Sequence, residues 1–216
     1  MLLIKFPVIL AASSLQILKD WDTWLFLKIN REWTNPFFDN FLPLYRDMNF
    51  WMPFYFFLLL FVLMNYGWKS WTFIVAIIVT VTITDQMSSS FFKNFVDRPR
   101  PCQDEFLMHY ARLLLNRCPS SQSFTSSHAT NHFGMAAFLF VTLKNVWGKW
   151  SYLLFVWAAT ISYAQIYVGV HYPLDIIGGA LVGCLAGYVI ANVYVRRIGM
   201  PQLRTKNQVS GNKNQE

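Results

Sequence analysis

Long apolar runs without charge constrain this chain more than any other feature of its sequence. Residues 51–66 carry no charged side chain, and comparable runs recur up to residue 195. A bilayer crossing needs ~20 predominantly apolar residues. Of the 216 residues, 55% are hydrophobic and 13% are charged, whereas globular domains have roughly 25% charged residues. The composition therefore excludes an ordinary soluble domain and predicts an integral membrane protein.

The hydropathy pattern predicts an all-α fold, a polytopic membrane helical bundle. We expect five spans, at residues 51–66, 70–84, 127–143, 150–170 and 175–195. Residues 1–18 fit either a signal-peptide core or a sixth span, and we favour the uncleaved span. Residues 1–200 then form one integral membrane domain, in which residues 1–50 are an anchor followed by an interfacial aromatic segment.

Basic residues set the expected orientation. Arg196 and Arg197 precede a basic tail at residues 201–216, which we expect to be disordered. The positive-inside rule places this tail in the cytoplasm. The loop at residues 93–125 and the turn at His171 then share the opposite face, periplasmic or exterior. We expect the protein in the inner (cytoplasmic) membrane, with a bilayer and an anionic lipid as partners and no nucleic acid.

Glycines recur every fourth residue in the last predicted span. Gly179, Gly183 and Gly187 share one helix face, which allows the backbone of a neighbouring helix to approach closely. We interpret this face as a packing surface and not as a chemical site.

Three polar clusters are expected on the outward face. The first contains cations, and the second lies at the start of a helix. Lys93, Arg98 and Arg100 lie where prolines end a span, and they suit a multiply charged oxyanion or lipid headgroups. Residues 125–128 open the next span with hydroxyls and His128. An N-cap explains one hydroxyl, but a helix N-terminus also binds anions, and His128 is a candidate proton donor.

The third cluster pairs a histidine with a carboxylate. His171 precedes Pro173, which suits the first helical turn, and Asp175 lies in that turn. A carboxylate near the imidazole fixes its tautomer and makes the other nitrogen more nucleophilic. A structural histidine is the alternative for this cluster alone. A nucleophile, an acid and an oxyanion cradle on one face together indicate phosphoryl transfer.

The three clusters resemble the motifs of the type 2 phosphatidic acid phosphatase family. The first motif, Lys, six residues and Arg-Pro, is met at Lys93 and Arg100. The second, Pro-Ser-Gly-His, is Thr125-Ser126-Ser127-His128 here. The third, Ser-Arg, five residues, His, three residues and Asp, matches at His171 and Asp175, but Ala164 and Gln165 replace Ser-Arg. One expected phosphate-binding cation is therefore missing.

The resemblance implies a two-step, metal-independent mechanism without a cofactor. His171, oriented by Asp175, is expected to form a phosphohistidine, while His128 protonates the departing lipid oxygen and then activates water. The implied phosphate-binding residues are Lys93, Arg100, Ser126, Ser127 and Gln165, and Arg98 is a candidate to replace the missing charge. No metal ligand is expected.

The expected function is removal of phosphate from a lipid phosphate or diphosphate. Undecaprenyl diphosphate is our first choice of substrate, and phosphatidylglycerophosphate, phosphatidate and lipid A phosphates stay open. Lipid phosphotransfer and a non-catalytic lipid-phosphate carrier or scaffold are the alternative functions. Cys102 and Cys118 both lie on the outward loop, and we hypothesise that a disulfide joins them.

Overall fold

A computed structural model describes the backbone of residues 5–66 and 70–199, and the side chains of residues 14–64 and 70–199. Within these ranges all regular secondary structure is helical, and there is no strand. The helices are α1 (Lys5–Leu27), α2 (Pro36–Tyr45), α3 (Met48–Tyr66), α4 (Trp71–Gln86), α5 (Lys93–Phe95), α6 (Ser127–Trp147), α7 (Leu153–Tyr167) and α8 (Pro173–Arg197). π-Helical turns occupy Lys28–Glu32 and Met87–Phe92. The predicted tail at residues 201–216 lies outside the described residues.

The number of membrane crossings is only partly supported by helix length and hydropathy. Helices lie at all five predicted positions, and α1 covers most of the sixth. Among the described residues, two helices are long and apolar enough to cross a bilayer, Trp71–Phe95 and Pro173–Arg197. A third crossing results if Pro36–Tyr45 and Met48–Met64, bent by 57°, count as one span. The all-α prediction is confirmed, whereas the five or six spans are not.

Helices α6 and α8 form the central pair of the bundle. The glycine face of α8 rests directly on the backbone of α6, as predicted for a packing surface. A Cβ atom built at Gly183 would overlap the carbonyl oxygen of Thr130, and one at Gly187 would overlap that of Gly134. This contact fixes the start of α6 beside the start of α8.

The segment before α3 packs into the protein more deeply than the interfacial prediction implied. Phe26, Ile29 and Leu42 are buried in one apolar cluster with the end of α7. Asn30 is fully buried, and its amide donates to the carbonyl oxygens of Arg112 and Tyr167 at 2.9 and 2.8 Å. The N-terminal segment therefore ties α7 to the loop that follows α5.

A disulfide and a hydrogen bond connect distant parts of that loop, residues 96–126. A disulfide joins Cys102 and Cys118, with their Cα atoms 6.0 Å apart. The side-chain amide of Gln103 also donates to the carbonyl oxygen of Pro119 at 2.9 Å. These contacts hold together the two halves of the loop that carry Arg100 and Ser123.

We expect Gly183→Val to destabilise the protein, because the added side chain meets the backbone of α6, which cannot yield as a flexible side chain would. Overpacking of this kind costs about 1–3 kcal/mol. Thermal unfolding of the detergent-solubilised protein measures the effect. Val189→Leu adds volume on an exposed position of the same helix and should leave the unfolding temperature nearly unchanged. Equal stability of the two variants would contradict the close packing of α6 on α8.

Candidate active site

His171 lies in the short turn between α7 and α8, and the backbone before it is tightly constrained. Gly169 has a φ of +91°, and a Cβ atom there would overlap the carbonyl oxygen of Arg112. Only glycine combines this conformation with such a close approach. Pro173 then starts α8, and His171 is left only 2% exposed. The imidazole is thereby held at a defined point between the two helices.

The hydrogen bonds of His171 define its tautomer. Its Nε2 atom lies 3.1 Å from Nη1 of Arg100. A guanidinium can only donate, so Nε2 accepts, and the proton of the neutral ring is on Nδ1. Nδ1 faces the hydroxyl oxygen of Ser123 at 3.4 Å. Nε2 therefore carries the lone pair, next to a cation.

The pKa of His171 is lowered to about 4, chiefly because burial disfavours the charged imidazolium. Asp175 opposes this shift, and the positive charges of Arg100 and Lys93 add to it. His171 is therefore neutral at pH 7. A neutral imidazole is the form that acts as a nucleophile.

Asp175 is fully buried and binds several groups, but it does not contact the imidazole at hydrogen-bond distance. Its Oδ2 atom accepts from the Ser123 hydroxyl at 2.5 Å and from the backbone N–H of Tyr172 at 2.8 Å. The distance from Oδ2 to Nδ1 of His171 is 3.6 Å, too long for a hydrogen bond. Ser123 thus bridges the carboxylate and the ring.

Arg98 is engaged by carboxylates on two helices. Its Nη1 atom pairs with Asp175 at 2.8 Å, and its Nη2 atom pairs with Asp22 of α1. The guanidinium also lies over the ring of Tyr172, 3.9 Å from the ring centroid. With both terminal nitrogens paired, Arg98 does not replace the missing phosphate-binding charge as we hypothesised. It joins the N-terminal helix to the site instead.

Arg100 lies directly beside His171 and is only 4% exposed. Its Nε and Nη2 atoms donate to the backbone oxygen and hydroxyl of Ser121 at 2.7 and 3.0 Å. Burial lowers its pKa to about 10, and the charge of Arg46 acts in the same direction. Arg100 is therefore still positively charged at pH 7.

The start of α6 brings the second motif to the same place. Ser126 is fully buried, caps the helix by accepting from the backbone N–H of Ala129 at 3.4 Å, and donates its own N–H to the Asp175 carbonyl oxygen at 3.2 Å. The Ser127 hydroxyl lies 3.0 Å from that of Ser88. His128 follows in the first turn, and its ring is parallel to that of His132 at 6.3 Å.

Gln165 is fully buried on α7, and its side chain meets a residue that the sequence motifs do not include. Its Oε1 atom accepts from Nε of Arg46 at 3.0 Å. Its Nε2 atom has no hydrogen-bond partner within the described part of the chain. An arginine from the break between α2 and α3 therefore contacts the residue that replaces the family arginine in the third motif.

A comparison with known protein families decides which group this arrangement belongs to. The PAP2 superfamily matches residues 69–198, which include every residue of the three motifs. The chain belongs to the PAP2 superfamily. Members of this superfamily of lipid phosphatases are phosphohydrolases, so the chain is an enzyme of that class. This supports catalysis over the carrier hypothesis.

Two PAP2 relatives match over most of the chain. A lipid A 4'-phosphatase of Bacteroides thetaiotaomicron is 35% identical over 85% of this chain and 83% of its own length. A lipid A 4'-phosphatase of Porphyromonas gingivalis is 33% identical over 79% of this chain and 72% of its own. By contrast, an undecaprenyl-diphosphatase of Sulfolobus acidocaldarius is 35% identical over only 37% of each chain.

Solved PAP2 structures have the same fold. The crystal structure of Aquifex aeolicus LpxE superimposes with a TM-score of 0.56 and 27% identity, covering 79% of this chain and 94% of that one. A transmembrane PAP2 type phosphatidylglycerolphosphate phosphatase from Bacillus subtilis has a TM-score of 0.63 at 19% identity, covering 90% and 94%. The latter supports the fold alone.

Sequence reasoning missed three residues that the structure brings to the site, Asp22, Arg46 and Ser123. Asp22 and Arg46 lie in the segment that we assigned to the membrane interface, far from any motif. Ser123 lies three residues before Ser126, and only its position ahead of a predicted helix N-terminus was available as a signal. None of the three could be paired with its partner before the fold was known.

We expect Ser123→Ala to lower kcat about 10-fold with little change in KM, since it removes the hydroxyl that links the ring of His171 to Asp175. Ser123→Thr should restore most of the activity. Ser120→Ala, at an exposed position of the same loop, is the matched control. A folded Ser123→Ala protein with unchanged kcat would show that the bridge does not position the imidazole.

We also expect His171 to be neutral and protonated on Nδ1 in mildly acidic solution, because burial lowers its pKa to about 4. Nitrogen NMR of the histidine rings in detergent micelles measures both the charge and the tautomer. His171→Gln identifies the signal by its loss. An imidazolium signal that appears near the ordinary histidine pKa of 6.5 would contradict this prediction.

Proposed function

We propose that this PAP2 enzyme removes a phosphate group from lipid A or a related phosphorylated glycolipid through a phosphohistidine at His171. The observation that carries the chemistry is the contact of 3.1 Å between Nε2 of His171 and the Arg100 guanidinium. The choice of lipid rests on the two lipid A 4'-phosphatases that match most of the chain.

The first step is attack of His171 on phosphorus. The buried ring is neutral, so no proton has to leave Nε2 before the attack, and the Arg100 N–H from which Nε2 accepts moves to a phosphoryl oxygen as the lone pair of Nε2 attacks. A phosphoryl group in line with Nε2 lies within reach of Arg100, which stabilises the negative charge of the transition state. The bond from phosphorus to the lipid oxygen breaks as the bond to Nε2 forms.

Asp175 acts on this step through Ser123. As the ring becomes positively charged, the carboxylate stabilises it across 3.6 Å, and the Ser123 oxygen accepts from the Nδ1–H group while the Ser123 hydroxyl donates to the carboxylate. Arg98 and the N–H of Tyr172 hold the carboxylate in place. Asp175 is thus the carboxylate that orients His171 in the proposed mechanism, with Ser123 between the two side chains.

His128 is the proposed acid and base. It protonates the departing lipid oxygen, and it then removes a proton from the water that hydrolyses the phosphohistidine. The amides of the first α6 turn, at Ser127 and His128, have no intrahelical carbonyl to bind and are suited to a phosphate oxygen. Lys93, whose charge acts on His171, and Ser126 complete the proposed phosphate site.

This proposal departs from undecaprenyl diphosphate as the expected substrate. The undecaprenyl-diphosphatases align with only 33% and 37% of this chain. We further propose that the enzyme lies in the inner membrane with its site facing outward and its C-terminus in the cytoplasm. The asymmetry of basic residues supports this orientation.

We expect purified protein in detergent to release inorganic phosphate from lipid A faster than from undecaprenyl diphosphate, phosphatidate or phosphatidylglycerophosphate. EDTA should have no effect, because in the proposed mechanism Arg100 and Lys93 neutralise the charge of the phosphoryl group. His171→Ala should abolish turnover. The measurement is free phosphate per enzyme, with His109→Ala, exposed on the outward loop, as the control.

The outcomes of this assay separate the proposals. Preference for undecaprenyl diphosphate would restore our first choice of substrate. Release of phosphate only after addition of an acceptor alcohol would indicate a phosphotransferase. Full activity of His171→Ala would refute the phosphohistidine mechanism, and loss of activity with EDTA would require a metal.

A further inference from the structure

We propose that Arg46 is a phosphate-binding residue of this site and that Gln165 positions it, so that the two side chains together replace the missing arginine of the third motif. This inference rests on the proposed phosphatase mechanism. The observation that carries it is the hydrogen bond of 3.0 Å from Nε of Arg46 to Oε1 of Gln165.

The side-chain oxygen of Gln165 has a hydrogen-bond partner, whereas its side-chain nitrogen has none among the described residues. The side chain is fully buried, its oxygen accepts from Arg46, and its Nε2 atom has no partner among the described residues. A buried donor without a partner costs free energy, so such groups are rare in folded proteins. A phosphate oxygen beside His171, which follows Gln165 by six residues, would accept from this amide.

Arg46 is suited to bind an anion while it is held by Gln165. The contact uses Nε only, which leaves the two terminal nitrogens for the paired hydrogen bonds that guanidinium groups make with phosphate. Arg46 forms no ion pair within 4.0 Å with any described carboxylate, in contrast to Arg98. Its charge is therefore available, whereas that of Arg98 is neutralised by Asp22 and Asp175.

The break between α2 and α3 fixes Arg46 in this place. The indole N–H of Trp51 donates to the carbonyl oxygen of Tyr45 at 2.8 Å, and the Tyr45 hydroxyl lies 2.8 Å from that of Thr160 on α7. Trp51 also packs edge-on against Trp157, with ring centroids 5.8 Å apart. The corner is thus attached to the helix that carries Gln165.

The positive charges of Arg46 and Arg100 interact at this point, and Asp47 and Asp175 offset them in part. Arg46 acts on Arg100 strongly enough to contribute to the lowered pKa of Arg100. Cations that repel each other are stabilised by an anion between them, and perturbed charges of this kind concentrate at functional sites. A phosphoryl group held between His171 and Gln165 would meet Arg46 and Arg100 from two sides.

The test is a double-mutant cycle between positions 46 and 165. We expect Arg46→Gln to lower kcat/KM for phosphate release from lipid A about 10- to 100-fold, the effect of losing one charge-assisted contact. Gln165→Arg alone should also lower it, because two guanidinium groups would then compete for one space. Arg46→Gln combined with Gln165→Arg should recover most of the wild-type activity. Arg31→Gln, at an exposed position, is the matched control.

Inorganic phosphate provides a second measurement that does not depend on the lipid. The inhibition constant of inorganic phosphate should rise in Arg46→Gln and in Arg46→Lys. The lysine keeps the positive charge but lacks the planar guanidinium that makes two parallel hydrogen bonds to phosphate. Arg46→Lys decides the matter if Arg46→Gln is not monodisperse in size-exclusion chromatography. Inhibition equal to wild type in a folded Arg46→Lys protein would overturn the proposal.

The two hypotheses fail in different ways. If wild type releases phosphate and His171→Ala does not, the proposed function stands, and unchanged activity of Arg46→Gln overturns only the role of Arg46. Increased activity of Gln165→Arg alone would also overturn the role of Arg46, since it would show that the wild-type site lacks a cation that Arg46 does not supply. If His171→Ala is as active as wild type, the phosphohistidine mechanism itself is wrong.

Discussion

The arrangement of the candidate active site depends on one buried carboxylate, Asp175. A charge with no exposure is strongly destabilising unless it is paired and hydrogen-bonded. Asp175 meets this requirement with a guanidinium from the loop, a serine hydroxyl from the end of that loop and a backbone amide of its own turn. The first two partners lie near opposite ends of the loop at residues 96–126, so satisfying the charge holds both ends of this loop against the start of α8. The position of His171 follows from that convergence.

The same network explains why the N-terminal segment belongs to the catalytic unit. Asp22 on α1 pairs with Arg98 and also accepts from the backbone N–H of Leu174 at the start of α8. Arg98 therefore stands between two carboxylates, one of which lies next to the nucleophile. A membrane anchor alone would need no buried acid at this position, whereas a helix that braces the turn at His171 does.

The local parts of the site could be predicted from the sequence, but their pairing could not. Apolar runs located the helices, and the prolines after Lys93 correctly ended one of them. Arg98 was a candidate for the missing phosphate-binding charge, because a sequence lists charges without showing which acids neutralise them. The bridging position of Ser123 depends on the distance between Asp175 and the imidazole, which no spacing along the chain determines.

Hydropathy is least informative where helices line the polar site. The π-helical turn at residues 87–92 contains Ser88, whose hydroxyl is buried against Thr125 and Ser127. Gln165 is likewise a buried polar residue, within α7. The segment Trp71–Phe95 is apolar enough to cross a bilayer despite its serines, whereas α7, with 15 residues, is shorter than the ~20 residues that a crossing needs.

The corner between α2 and α3 carries the proposed phosphate-binding residue Arg46 next to side chains that are exposed on the surface of the bundle. It carries Arg46 on one side, while Phe50 and Phe54 next to it are 46% and 44% exposed. Exposed aromatic side chains at such a point are typical of the boundary between headgroups and acyl chains. If Arg46 binds phosphate as proposed, the charge that the family places at position 165 inside the bundle is held instead at this corner, close to the exposed aromatic side chains.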